Sequence, residues 1–281
     1  MKRILALFLC FSTFLVHGQE SSVAQIHYTF KHVNDTSRRD APQRDDVVSY
    51  LGKEGYYYTS FSPFLMKEQI QGKMAAPDFD GHMSIEITTT EILHSYIVHP
   101  RRQQMQEIEG ITSSFDAFVH DAPYPTQDWQ IEEEVRKIGG YTCQKATTTF
   151  KGRHYTAWFT TDLPFSYGPW KLHGLPGLIL SAYDDRREVI FEYAGFDKVS
   201  DKGAPLIAPP TYVLRATEAE IEKLKKACKE NPGAYFEALQ SSGRLSAQDF
   251  YGIDYSKNSF DIKKKDYAPS SATNNPIELT P

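Results

Sequence analysis

Residues 131–161 read IEEEVRKIGGYTCQKATTTFKGRHYTAWFTT, and this stretch decides the fold. Three runs rich in β-branched and aromatic residues, Ile131–Ile138, Tyr141–Phe150 and Tyr155–Thr161, are separated by Gly139-Gly140 and by Lys151-Gly152-Arg153. Such residues fit a pleated, packed surface, and Gly-Gly between two runs is a hairpin signal. Leu178–Tyr183 and Glu188–Ala194 continue the pattern across the turn-like Asp184-Asp185-Arg186. Short strands in sequence joined by tight turns predict an antiparallel meander.

Towards the N-terminus, Ala24, Ile26, Tyr28 and Phe30 alternate with polar residues, the period of a half-buried strand. Residues 34–46 read as a polar loop and Val47–Leu51 as a short helical turn. Tyr56–Ser60, Met83–Thr89, Leu93–His99 and Gln104–Ile108 are further strand candidates, and 115–128, with Pro123 and Pro125, an irregular connection. Pro205, Pro209 and Pro210 then break the strand pattern. Thr217 and Glu220 form a capping box opening a helix whose Ile221, Leu224, Ala227 and Cys228 share one face. Asn231-Pro232-Gly233 ends it, and a second short helix is expected through Tyr235–Leu239. The residues after Asp261 are polar and expected to be extended or mobile, with Ile277 and Leu279 able to add an edge strand. The expectation is an α+β fold, predominantly antiparallel β: a curved meander sheet, with a half-barrel among its forms, and one or two C-terminal helices.

Lys2 and Arg3 precede an apolar run from Ile4 to Val16, and His17-Gly18 follows. This reads as a secretory signal over residues 1–18, cut near Gly18, because the run is shorter than the roughly 20 apolar residues of a spanning helix. Export to the periplasm or medium follows as an expectation. Removal of those residues takes two positive charges and no acids, moving the formal net charge from -5 to -7. The remainder suits one β-rich domain over 19–262 with a polar tail over 263–281. Its acidic balance argues against a nucleic-acid partner, and no later segment is apolar enough to span a membrane. Beyond the signal only Cys143 and Cys228 remain. In an oxidising compartment they either pair or stay as two buried thiols.

No catalytic, metal or cofactor site is legible. The histidines form no HExxH pair, and His94 and His99 lie at odd spacing, on opposite faces of their strand. No serine sits in a GxSxG elbow, and the cysteines lack zinc-ligand spacing. Glu132-Glu133-Glu134 and Asp184-Asp185 read as a solvated strand face and a turn, with Glu132 and Glu134 on one side. Arg153 with Trp158, and Trp170 with Lys171, are cation–π candidates.

The remaining signal is Gly168-Pro169 followed by Gly174-Leu175-Pro176-Gly177-Leu178-Ile179, a shaped turn running into a buried strand. With Trp129, Ile138, Gly140-Tyr141, Cys143, Lys145-Ala146, Gly152-Arg153, Ala157-Trp158, Leu163-Pro164, Lys171, Asp184 and the ending Asn275-Pro276-Ile277-Glu278-Leu279, it resembles the GLPGLI family, also called Porph_ging, of exported proteins from Bacteroidota. The resemblance implies an exported β-rich protein of unsettled role and supplies no catalytic residues. The motif residues read as architectural, and His173 falls at a variable-looking position within them.

Three functional readings remain, ranked in this order. A sheet with a covering helix can enclose an apolar pocket for a lipid or other apolar small molecule, making a non-enzymatic carrier. The chain can instead dock on an outer-membrane protein by strand addition at an exposed edge. A hydrolase whose site is scattered in sequence is third.

Overall fold

The computed structural model describes residues 19–87, 89–200, 203–244, 246–254, 256–264 and 272–280. The expected signal at 1–18 lies outside them. The described strands are β1 (Ala24–His32), β2 (Gln43–Leu51), β3 (Tyr56–Ser60), β4 (His82–Ile87), β5 (His94–His99), β6 (Gln104–Gly110) and β7 (Ala117–Ala122). They continue with β8 (Gln130–Ile138), β9 (Tyr141–Phe150), β10 (Arg153–Thr160), β11 (Leu178–Asp184), β12 (Val189–Lys198), β13 (Leu214–Arg215) and β14 (Ser259–Lys264). The helices are α1 (Ser62–Met74), α2 (Glu218–Glu230), α3 (Pro232–Ser241) and α4 (Ala247–Tyr251).

Twelve strands form one sheet in the order β13-β7-β6-β5-β3-β2-β1-β12-β11-β10-β9-β8. Every neighbouring pair is antiparallel except β13 with β7. The α+β, mainly antiparallel class is therefore as the sequence implied. The sheet is open: β13 and β8 end it without meeting. It consists of two meanders, one of β1–β3 and β5–β7 and one over β8–β12, joined where β1 pairs with β12 from Ala24↔Lys198 to His32↔Val189; β4 pairs with β14 in a separate two-stranded sheet. A bulge skips Ala194 opposite His27/Tyr28, and a second skips Leu180 opposite Trp158/Phe159. Such insertions add local twist.

The sheet carries a core on each face. Ile26, Tyr28, Phe30, Tyr56, Tyr58, Tyr96 and Val98 point to one face, where Trp158, Leu172, Leu175 and Leu178 join them. Val48, Tyr50, Tyr57, Ile97, Ile108 and Val119 point to the other. Strands covered on both faces need not alternate, which explains the first of two corrections. Val47–Leu51, expected as a helical turn, is the buried end of β2, with Val47, Val48 and Leu51 all inaccessible. β7 occupies 117–122 of the stretch expected to be irregular; the chain becomes irregular only from Pro123 onwards. The helix α1 gave no sequence signal, since only Ser62, Pro63 and Ile70 of its residues are buried. With β4, β14 and α4 it makes a small satellite around Ile70, Met83, Ile85 and Ile253.

Thr217 and Glu220 cap α2 reciprocally as expected, and Ile221 is its buried anchor. The second helix runs from Pro232 to Ser241, longer than expected, and Asn231 caps it. Cys143 and Cys228 are separate thiols. The first is on β9, next to one end of the sheet; the second is on α2, which reaches β6 near the other end through Lys225 and Glu109. That separation prevents the pairing left open by the sequence.

Candidate functional site

The glycine-proline motif is a lid on the sheet. Between β10 and β11 the chain crosses the face formed by β1, β3 and β5 and is buried from Tyr167 to His173: Trp170 and Leu172, with Leu175 beyond, are at most 2% exposed. A buried loop must satisfy its backbone. Ser49 Oγ donates to the Gly168 carbonyl at 3.0 Å, and Tyr56 Oη to Trp170 at 3.0 Å. Trp129 Nε1 reaches His173 at 2.8 Å, and Tyr28 Oη reaches Ile179 at 2.6 Å. Gly174 takes φ +94°. Gly177 is required for another reason: a Cβ there would stand 2.1 Å from the Thr160 carbonyl oxygen. Gly168 is similarly close to the Leu172 carbonyl, at 2.7 Å. Pro169, Pro176, Leu178 and Ile179 complete an architectural segment. His173 belongs to it, with Nε2 3.0 Å from the Pro125 carbonyl and its ring 5.2 Å from that of Tyr124. Burial brings its pKa down to about 4, so it is a neutral packing group at pH 7.

Beside the lid lies a cavity of about 610 Å³. Phe30, Tyr58, Tyr96 and Trp170 give it an aromatic floor, and Ile92, Leu93 and Ile277 add aliphatic wall. Its rim is charged. Lys171 Nζ pairs with Glu278 at 2.5 Å and lies 3.8 Å from Glu107, above the Tyr96 ring at 4.7 Å. Glu107 meets His94 Nδ1 at 2.8 Å, and Glu109 lies 3.4 Å from His94 Nε2. Lys225 closes the series on Glu109, and Lys151 closes the other end on Glu278 at 3.4 Å. Charges alternate along this line, so each stabilises its neighbours. Burial disfavours the charged His94 ring, but the hydrogen bond it donates to Glu107 and the attraction of both carboxylates outweigh it and raise the pKa. Burial likewise opposes ionisation of Glu107, yet His94 and Lys171 hold its carboxyl below the ordinary range.

The cavity's end wall is residues 273–278, fixed by a buried arginine. Arg153, at the start of β10, donates to the carbonyls of Ile277 (2.9 Å) and Pro276 (2.6 Å) and to Asn275 Oδ1 (2.7 Å). It also pairs with Asp184 at 2.8 Å and with Glu188 at 3.3 Å. Asn275 Nδ2 returns to Glu188 and to the Val33 carbonyl, while Nε2 of His32 contacts the Asn275 carbonyl at 2.8 Å. Glu188 resists the upward push of burial because Arg39, Arg153 and Asn275 hold its carboxyl below the ordinary range. Residues 272–280 form no strand with the sheet; they run through a series of bends and are anchored by Arg153.

Several sequence expectations are redistributed by this arrangement. Lys171 does lie over Trp170, at 5.8 Å, but the cation on Trp158 is Arg136, at 4.1 Å, and Arg153 is committed to the anchor. Glu132 and Glu134 share a face and both pair with Lys145, at 2.9 and 3.2 Å. Asp184 is buried in the arginine cluster while Asp185 is exposed, so only half of that pair is a solvated turn. The rim residues His94 and Glu107 carried no local motif, and Glu278 stood only within the family ending Asn275–Leu279; they converge from β5, β6 and the C-terminal segment. Burial pushes the Cys143 thiol up to about 11, which leaves it unreactive. Among the described residues, no cluster of three His, Cys, Asp or Glu is placed to hold a metal ion, and no helix is long and apolar enough to cross a membrane.

The fold and site together define an open-sheet α+β protein with a motif lid over an aromatic, charge-rimmed cavity. Within it, residues 148–181 match the family model described as "Protein of unknown function (Porph_ging)", the family that the motif resembles. No curated protein matches the sequence. Among solved structures the chain is similar to PNGF-II in a P21 crystal form, at 15% identity and a TM-score of 0.45, over 73% of this chain and 33% of that one. PNGF-II in a C2 form gives 14% and 0.44, over 72% and 32%. An uncharacterized conserved protein from Thermus thermophilus gives 8% and 0.35, over 69% and 90%. The chain spans about a third of the length of the PNGF-II chains it matches.

Proposed function

We propose that this chain is an exported, non-enzymatic binding protein that holds an amphiphilic small molecule, such as a lipid, in the cavity beside the motif. The observation that carries the reading is the juxtaposition of an aromatic floor with a line of paired charges in about 610 Å³. Pockets of a few hundred Å³ with apolar walls and a few polar groups suit such ligands. The apolar body would lie on Tyr58, Tyr96 and Trp170, and a dipolar or zwitterionic head would meet Lys171 and Glu278. A head of single charge fits less well, because the rim charges already satisfy one another.

Two features weigh against hydrolysis at this cavity. Both nitrogens of His94 face carboxylates, and its raised pKa favours the imidazolium, which has no lone pair with which to act as a general base. Among the described residues lining the cavity, none is a serine or cysteine. Docking by strand addition has a candidate edge in β8, where Ile131 and Val135 are 49% and 61% exposed. That edge also carries Glu132–Glu134, Arg136 and Lys137, the kind of charge that discourages pairing.

Native mass spectrometry of the protein purified from envelope extracts tests the reading. The expected result is a lipid-sized adduct that is lost in Ile92→Trp, which fills the cavity. A bare chain in every preparation, including after incubation with phospholipid vesicles, would sink it.

A further inference from the structure

The opposite face of the sheet holds a second cavity of about 400 Å³ with a different chemistry. Its floor is Tyr50 and Tyr57 with Ile108 between β-strands, and its walls are Phe115, Phe250 and the proline-rich chain at 205–213. Among the described residues that line it, none is an aspartate, glutamate, lysine, arginine or histidine. The cavity beside the motif, by contrast, is lined by Glu91, His94, Glu107, Lys171 and Glu278.

The proline wall explains part of this difference. Pro205, Pro209 and Pro210 have no N–H to leave unpaired. The segment's own backbone is bonded outside the cavity, Ile207 N to the Glu20 carbonyl and Ser22 N to that of Pro205. A neutral polar pair lies on the floor, where Thr59 Oγ1 and Ser95 Oγ are 2.8 Å apart, and Gln19, Ser60, Ser114 and Thr211 are the other neutral polar side chains of the lining apart from the tyrosines. The mouth is uncharged as well: Phe64 and Leu206 line it and are 43% and 40% exposed.

We infer that this second cavity binds a neutral, ring-containing apolar molecule, independently of the amphiphile site. A charged ligand would lose its hydration there and find no counter-charge among the described lining residues, Lys67 standing on the Phe250 ring at 4.6 Å. An aromatic or polycyclic body can lie against Tyr50, Tyr57, Phe115 and Phe250, where ring contacts add to area burial. A single hydroxyl or carbonyl on that body would meet the Thr59–Ser95 pair.

Titration with N-phenyl-1-naphthylamine, a neutral dye that brightens in apolar surroundings, tests the site. Saturable binding is expected, weakened at least tenfold in Phe64→Asp and in Leu206→Asp. Both positions are exposed, so the variants should keep the wild-type circular dichroism. Thr211→Trp, at an exposed lining position, blocks the mouth without adding charge and should weaken the dye similarly. Glu278→Gln, on the other face, should leave the affinity unchanged. Absence of saturable binding overturns the inference. So does equal affinity in the wild type and all three mouth variants, or a loss confined to Glu278→Gln. Those outcomes leave the amphiphile reading to its own mass-spectrometric test.

Discussion

Gly177 and His173 show how much of the motif is packing. The Cβ that valine brings to position 177 meets the backbone of β10, which cannot move aside as a flexible side chain would. Gly177→Val is expected to cost at least ~3 kcal/mol, at the upper end of overpacking effects. Lys171→Ala should cost less, about 1–2 kcal/mol, because its partners Glu107 and Glu278 keep His94 and Lys151. Equal losses in urea unfolding would show that the close approach at Gly177 is not limiting. His173 makes a separate prediction. Its folded pKa, about 4, lies below the ordinary 6.5, so the unfolded chain takes up the proton first. The stability it contributes is complete above about pH 6.5 and is lost as pH falls towards 4. By proton linkage it costs ~2 kcal/mol between pH 7 and pH 5. Asp45 acts in the opposite sense, because burial lifts its carboxyl to about 7 and acidification relieves the cost of ionising it. The diagnostic measurement is therefore a comparison: His173→Gln keeps a donor for the Pro125 carbonyl and should be less acid-sensitive than the wild type by that amount. Identical pH profiles would refute it.

At the scale of elements, the C-terminal segment and β10 are one unit. Arg153→Ala would leave Asp184 buried without its cation and Glu188 with Arg39 alone, with an expected loss of about 3–5 kcal/mol. A chain stopped after residue 271 keeps that ion cluster but removes the Asn275, Pro276 and Ile277 acceptors. It should unfold at a lower temperature than the wild type and a higher one than Arg153→Ala. Unaltered melting of the shortened chain would show that the segment is merely adjacent. Elements differ in how well the sequence announced them. β1, β3 and β9 alternate or begin and end at turns, and their bounds were legible almost to the residue. β2 was obscured because both of its faces are covered, so its apolar residues run together. α1 was obscured because little of it is buried. The arginine anchor was out of reach for another reason: its partners lie 31 to 124 positions from Arg153, and only folding brings a charged side chain, an amide and two carbonyls to one point.

For the whole molecule, composition indicated an antiparallel sheet but not its strand order or the cavities on its two faces described above. Those depend on which faces the lid and the proline-rich segment cover, and neither segment has a periodic signal. The joining of the two meanders along β1 and β12 has a consequence for synthesis. The strands β1–β3 and β5–β7 can assemble as soon as residue 122 is available, whereas β12 emerges only some seventy residues later. In the interval β1 is the end of a sheet, with unpaired backbone groups and Ala24, Ile26, Tyr28 and Phe30 lacking the lid that later covers them. Such an edge is open to the same strand of another nascent molecule. The half-made protein is therefore the species most in need of a chaperone, and that need ends when β12 docks.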